Sequence, residues 1–263
     1  MTEISIDLVK QLRDQTGVSI MQCKKALIEA EGDVEKAKIA LTKRSGEIAA
    51  KKGDRELGAG TVVFEKGDSK AIILELACET DFVAKNEDFK TKASDIAKNI
   101  LENNIENPLE NEEIKTSLAE GTQKFGERME ISKFEVTSNE NIGSYIHVNN
   151  SVGAIIEFSS EVSEEFGKDI AMHVAAQNPK YLNETDIDES ERQKAEDTLR
   201  EEVADKPAEM QGKILEGKMN SFFKERVLLT QGFIKDPSKS IKQLLDEKGV
   251  EIVKYTRFGV GEA

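Results

Sequence analysis

The sequence predicts an α+β protein: an N-terminal three-helix bundle, a linker, then two related three-stranded α+β subdomains, the second carrying an antiparallel helical hairpin. Three observations predict it. The first 45 residues hold three short runs of helical periodicity with capping residues at their ends. The rest of the chain repeats itself: "GTVVFEKGDSKAIILEL" from Gly60 and "GSYIHVNNSVGAIIEF" from Gly143 share an offset of 83, with Ala71 and Ala154 each eleven residues further on. Finally, a long charged segment broken at Pro207 interrupts the second copy.

Composition narrows the function classes. With 38% hydrophobic and 33% charged residues among 263, the chain has material for several small cores and a generous solvated surface. No apolar run approaches the roughly 20 residues that span a bilayer, so no membrane association is expected. The start "MTEISIDLVKQLRDQTG" lacks the basic and apolar parts of a signal peptide and reads as the true start of a cytoplasmic protein. A net charge of −14 argues against direct nucleic-acid binding, which needs clustered Lys and Arg. The acidity is uneven, because residues 1–55 carry 11 Lys/Arg against 9 Asp/Glu. That asymmetry marks the front segment as a separate module.

Within the module (residues 1–45), Ser5 can cap a helix bearing Leu8, Val9 and Leu12, and Thr16-Gly17 supplies its stop. Ser19 with Gln22 three residues later has the form of a capping box for a second helix ending at Gly32, and Asp33 opens a third through Val34, Ala37, Ala40 and Leu41. Ile20 and Met21 are adjacent, about 100° apart on a helix, so one of the two is expected outside the apolar stripe. Such a residue is either a partly buried staple or an apolar docking spot. Residues 46–59, rich in charge and Gly, read as a helix tail and linker.

Residues 60–140 and 141–263 are the two repeats. Each begins with a hairpin whose second strand is a continuous apolar run, implying cover on both faces or a central position. Each continues into a helix containing Asp-Ile-Ala, at Asp95-Ile96-Ala97 and Asp169-Ile170-Ala171, where the offset falls to 74. The first copy therefore has nine extra residues, expected between its second strand and helix, where "CETDFVAKN" lies. The final strands are "MEISKF" and "VEIVKY". In the second copy, residues of about 185–228 form two amphipathic segments separated by Asp205-Lys206-Pro207, a helical hairpin.

Catalytic constellations are scarce: the sequence has no phosphate-loop, dinucleotide, nucleophile-elbow or HExxH motif. Cys23 and Cys78 lack metal-ligand spacing and read as small core residues. His173, in "DIAMHVAAQNP", reads as a partly buried structural histidine; His147, alternating with Tyr145 on a strand, is either plain surface or a partner contact. With 51 acidic residues, chance carboxylate pairs carry no specificity. An interaction scaffold and an unrecognised hydrolase stand beside a binding protein as readings of these residues. Phe82 beside Asp81 either folds onto its own core or waits for another protein.

"LVKQLRDQTGVSIMQCKKALIEAEGDVEKA", "ETDFVAKN", "GSYIH", "DIAMHVAA" and "QGFIKDPSKSIKQLL", in this order, resemble the elongation factor Ts family, the guanine nucleotide exchange factors of elongation factor Tu. The resemblance implies that the front bundle is of the ubiquitin-associated type and the helical hairpin a coiled-coil insertion. It implies that Thr80, Asp81, Phe82 and Val83 form the motif that enters the G domain of elongation factor Tu and helps displace magnesium. It implies that Arg13, Ile20, Met21 and Lys24 face the G domain, and that His147 and Ile234 approach the third domain. Lys235 stands where longer members carry a second apolar residue, and the chain is expected to end without their C-terminal helical extension. No covalent chemistry and no cofactor are expected.

Overall fold

The computed structural model describes residues 4–205 and 207–262. Two compact units are formed, one by residues up to Ser138 together with Val148–Val152 and the tail from Phe258, the other by Asn139–His147 and Gly153–Arg257.

In the first unit, α1 (Ile6–Thr16), α2 (Ile20–Glu29) and α3 (Val34–Lys51) make the front bundle. Ser5, Ser19 and Asp33 cap them, accepting from the amides of Leu8, Gln22 and Lys36, so each helix starts where a side-chain oxygen relieves its orphan donors. Gly17 closes α1 at φ 66°, a left-handed conformation that favours glycine. Val9, Leu12, Val18, Cys23, Leu27 and Leu41 pack into one core. The third helix runs through Lys51, so residues 46–51 of the expected linker are helical, and the irregular stretch narrows to residues 52–58.

Strands β1 (Ala59–Lys66), β2 (Ala71–Cys78) and β3 (Met129–Thr137) form an antiparallel sheet in the order β1-β2-β3. Every residue of β2 is buried, which explains its unbroken apolar run: it is the central strand. Leu74 and Leu76 pack with Phe89, Ala93 and Ile96 of α5 (Glu87–Glu102) and Ile114 of α6 (Glu112–Phe125). Along the edge of β1, Val62 N–H donates to the Asn150 carbonyl at 2.7 Å while the Asn150 amide donates back to the Val62 carbonyl at 3.2 Å. That turn occupies ladder positions an edge strand would otherwise leave open.

The second unit repeats the order. Strands β4 (Ile142–Ile146), β5 (Val152–Phe158) and β8 (Ile252–Gly259) form a sheet ordered β4-β5-β8, and α7 (Glu164–Gln177) lies against β4. The approach is backbone to backbone: a Cβ on Gly143 would stand 2.3 Å from the Gly167 carbonyl oxygen, and one on Gly167 2.9 Å from the Gly143 Cα. Helices α8 (Glu189–Glu202) and α9 (Ala208–Lys224) form the hairpin, its base held by Ile187, Ala195, Phe223 and Val227. Pro207 occupies the N-cap position of α9 rather than its interior; Lys206, part of the expected break, lies outside the described residues. The short strands β6 (Gly232–Phe233) and β7 (Asp236–Ser240) and helix α10 (Ile241–Lys248) complete the unit.

The nine additional residues of the first copy do not form one insert, which corrects the expectation. Counted from the matched Ala71 and Ala154, β2 runs three residues further than β5, the following connection is three residues longer, and three more residues precede Asp95 in α5 than precede Asp169 in α7. The longer connection holds one further element, the single-turn helix α4 (Asp81–Ala84).

Candidate functional site

Thr80, Asp81, Phe82 and Val83 sit where β2 has ended and α4 begins. Successive side chains of a helix point about 100° apart, so one turn must divide them between core and solvent. Val83 and Ala84 pack against the core of the first unit, and Phe82 is thrown outward with 84% of its surface exposed. An aromatic ring left in water at the tip of an ordered element forfeits the burial that ordinarily stabilises it.

The turn is held from several sides. Thr80 donates its backbone N–H to Glu127 Oε2 at 3.0 Å and its hydroxyl proton to Glu127 Oε1 at 2.6 Å. With its proton committed, the hydroxyl oxygen is free to accept from Val83 N–H, a long cap of 3.5 Å. The Thr80 carbonyl accepts from the Cys78 thiol at 3.3 Å. Burial, with the Glu127 carboxylate nearby, pushes that thiol's pKa up to about 12, so it stays a protonated donor. One residue earlier, Glu79 accepts from Arg128 N–H at 2.6 Å and pairs with Arg55 at 2.9 Å. Burial raises the Glu79 carboxyl, but these bonds more than offset it and hold the group below its ordinary value. On the solvent side Asp81 pairs with Lys85 at 2.6 Å, and this contact lowers its pKa.

In the front bundle, Ile20, Met21 and Lys24 lie in the first turns of α2 and Arg13 in the last turn of α1, flanking the Gly17 connection. Ile20 is 56% and Met21 80% exposed, so both apolar residues face solvent where only one was expected to. The reason is local: Cys23, Ala26 and Leu27 fill the buried stripe of α2, and neither neighbour at the helix start falls on it.

His147 follows β4, exposed, with Nδ1 3.0 Å from the Tyr145 hydroxyl. Ile234, 39% exposed, sits between β6 and β7. The second histidine supports that hairpin. His173 is fully buried, its Nδ1 accepting from the Ile234 N–H at 3.2 Å and its Nε2 at 3.0 Å from Gln231 Oε1. An accepting Nδ1 requires the tautomer with hydrogen on Nε2, which donates to the amide oxygen. Burial lowers the pKa of His173, keeping it neutral. Next to it, Lys235 pairs with Asp169 of α7 at 2.5 Å.

Among the described residues no group of three or more His, Cys, Asp or Glu side chains could hold a metal ion, and no helix is long and apolar enough to cross a membrane. A model of the family described as "Elongation factor TS" matches residues 79–262. The chain belongs to the elongation factor Ts family. The match begins at Glu79, immediately before the turn that carries Phe82, and runs through both hairpins that carry His147 and Ile234. Membership in the elongation factor Ts family implies a role as nucleotide exchange factor for elongation factor Tu in translation elongation, and binding to that protein.

Proposed function

We propose that this protein binds the GDP form of elongation factor Tu and promotes GDP release by pressing Phe82 into the G domain, where the ring helps displace the magnesium ion. The observation that carries this reading is a phenyl ring 84% exposed on a helix whose neighbouring residues are anchored. Such a ring is already in the geometry a partner's pocket would receive, so little ordering entropy is lost on binding. Thr80, Asp81 and Val83 belong to the same contact.

The mechanism follows from linkage. A protein that binds nucleotide-free elongation factor Tu better than its nucleotide complex weakens nucleotide binding by the same factor. Magnesium bridges phosphate oxygens and neutralises their charge, so disturbing its ligands loosens the nucleotide. The ring contributes only so far as it favours the state without magnesium.

Arg13, Ile20, Met21 and Lys24 form a second contact with the G domain in this reading, supported by the exposure of all four. His147 and Ile234 meet the third domain, and the front bundle is of the ubiquitin-associated type. The α8–α9 hairpin is the family's coiled-coil arm, and the protein works in the cytoplasm. The test is release of fluorescently labelled GDP from elongation factor Tu at saturating concentrations of this protein. Acceleration is expected, and binding without acceleration would make it a scaffold instead.

A further inference from the structure

We infer that Glu127 is a positioning residue for Phe82, an inference that rests on the exchange reading above. Glu127 lies between α6 and β3, 47 residues from the turn it holds. Its two carboxylate oxygens are divided between two donors of a single residue, the amide and the hydroxyl of Thr80. This fork orients Thr80 so that its oxygen caps α4, and the cap sets the direction of the ring two residues on.

The arrangement is reciprocal across the same two strands. Glu79 reaches Arg128 N–H at 2.6 Å while Glu127 reaches Thr80 N–H at 3.0 Å, so adjacent residues on each segment exchange carboxylate-to-amide bonds. Arg55 completes the Glu79 side at 2.9 Å. Two charge-assisted crosslinks thus fix the end of β2 to the start of β3, and α4 projects from the fixed point.

A four-residue helix cannot sustain itself, since nucleation alone costs more than its few bonds return. Without the fork, α4 is one conformer among several, and the working fraction of Phe82 falls accordingly. Glu127 touches neither nucleotide nor magnesium in this scheme, and acts only through the ring.

The experiment measures labelled-GDP release from elongation factor Tu with wild type, Glu127→Ala, Phe82→Ala and the double variant, with native-state amide exchange of Thr80 and Val83. Glu127→Ala is expected to reduce kcat/KM for exchange by about tenfold, the loss usual for a charge-assisted pair of bonds, and to strip amide protection from both positions. In the Phe82→Ala background the same substitution changes the rate no further, because the residues act as one unit. Glu127→Gln keeps the volume but turns one oxygen into a donor facing the Thr80 amide, so it falls between Ala and wild type; it also serves if Glu127→Ala does not fold. A wild-type rate for Glu127→Ala beside a slow Phe82→Ala overturns the inference, as do two losses that multiply. A wild-type rate for Phe82→Ala overturns the role of the ring itself, and then amide protection reports whether the fork holds α4 at all.

Discussion

The buried imidazole of His173 accepts the backbone N–H of Ile234 at 3.2 Å, joining helix α7 to the tip of the β6–β7 hairpin. Protonating Nδ1 would turn this acceptor into a donor facing a donor. The pKa of His173 is lowered in the folded state by burial, so between that value and the unfolded value of about 6.5 the unfolded chain binds more protons. The stabilisation is therefore complete above about pH 6.5 and is lost as the pH falls toward the folded pKa. Glu75, raised by burial, works with the opposite sign: its contribution is present below the ordinary carboxylate value and is lost as the pH rises through its folded pKa. Comparing wild type with His173→Gln isolates the histidine. Urea midpoints measured from pH 7.5 to 5.5 should fall more steeply for wild type, and parallel curves would refute the assignment.

Gly143→Ala should destabilise the second unit by about 2–3 kcal/mol, in the upper range for overpacking. The added methyl meets the Gly167 backbone at 2.3 Å, and backbone cannot move aside as a flexible side chain would. Because β4 also carries Tyr145 toward His147, a displaced strand should alter that corner as well. Equilibrium urea unfolding reads the first effect, and a midpoint equal to wild type would mean that the strand and helix can separate freely.

The two cysteines should be inert in the native protein. Cys23 and Cys78 are fully buried, burial raises both pKa values, and that of Cys78 reaches about 12. Since the thiolate is the reactive form, a disulfide reagent at pH 8 should label neither until denaturant is added. Rapid labelling of Cys78 without denaturant would show that the β2 end opens readily, contrary to a firmly clamped turn.

Much of this fold was legible because its signals are local. Ser5, Ser19 and Asp33 announce helix starts through bonds spanning three residues, and the unbroken run from Ala71 to Cys78 announces a central strand. The fall in offset between the repeats pointed to the stretch from second strand to helix, in which the turn bearing Phe82 lies, but only three of the nine residues belong to that connection. What escaped is set by packing between distant segments: Thr80 with Glu127, His173 with Ile234, and Gly143 with Gly167 lie 24 to 61 residues apart and leave no periodic trace. The nine extra residues misled for a related reason, since an offset counts residues without saying which element absorbs them. For Ile20 and Met21, helical angle alone separates the pair but does not say where the stripe lies; Cys23, Ala26 and Leu27 decide that.

Phe82→Ala should separate stability from exchange. A ring 84% exposed gives the folded state almost nothing to lose, so the unfolding free energy from urea titration should stay within about 0.5 kcal/mol of wild type. Nucleotide release should slow by at least about tenfold, since truncating an aromatic anchor in a partner's pocket commonly costs 2 kcal/mol or more, as a rough guide. If instead the variant unfolds at lower urea while exchange is unimpaired, the ring belongs to the protein's own core in solution. A loss confined to the rate, with the concentration for half-maximal exchange unchanged, would further place its effect in the nucleotide-releasing step rather than in docking.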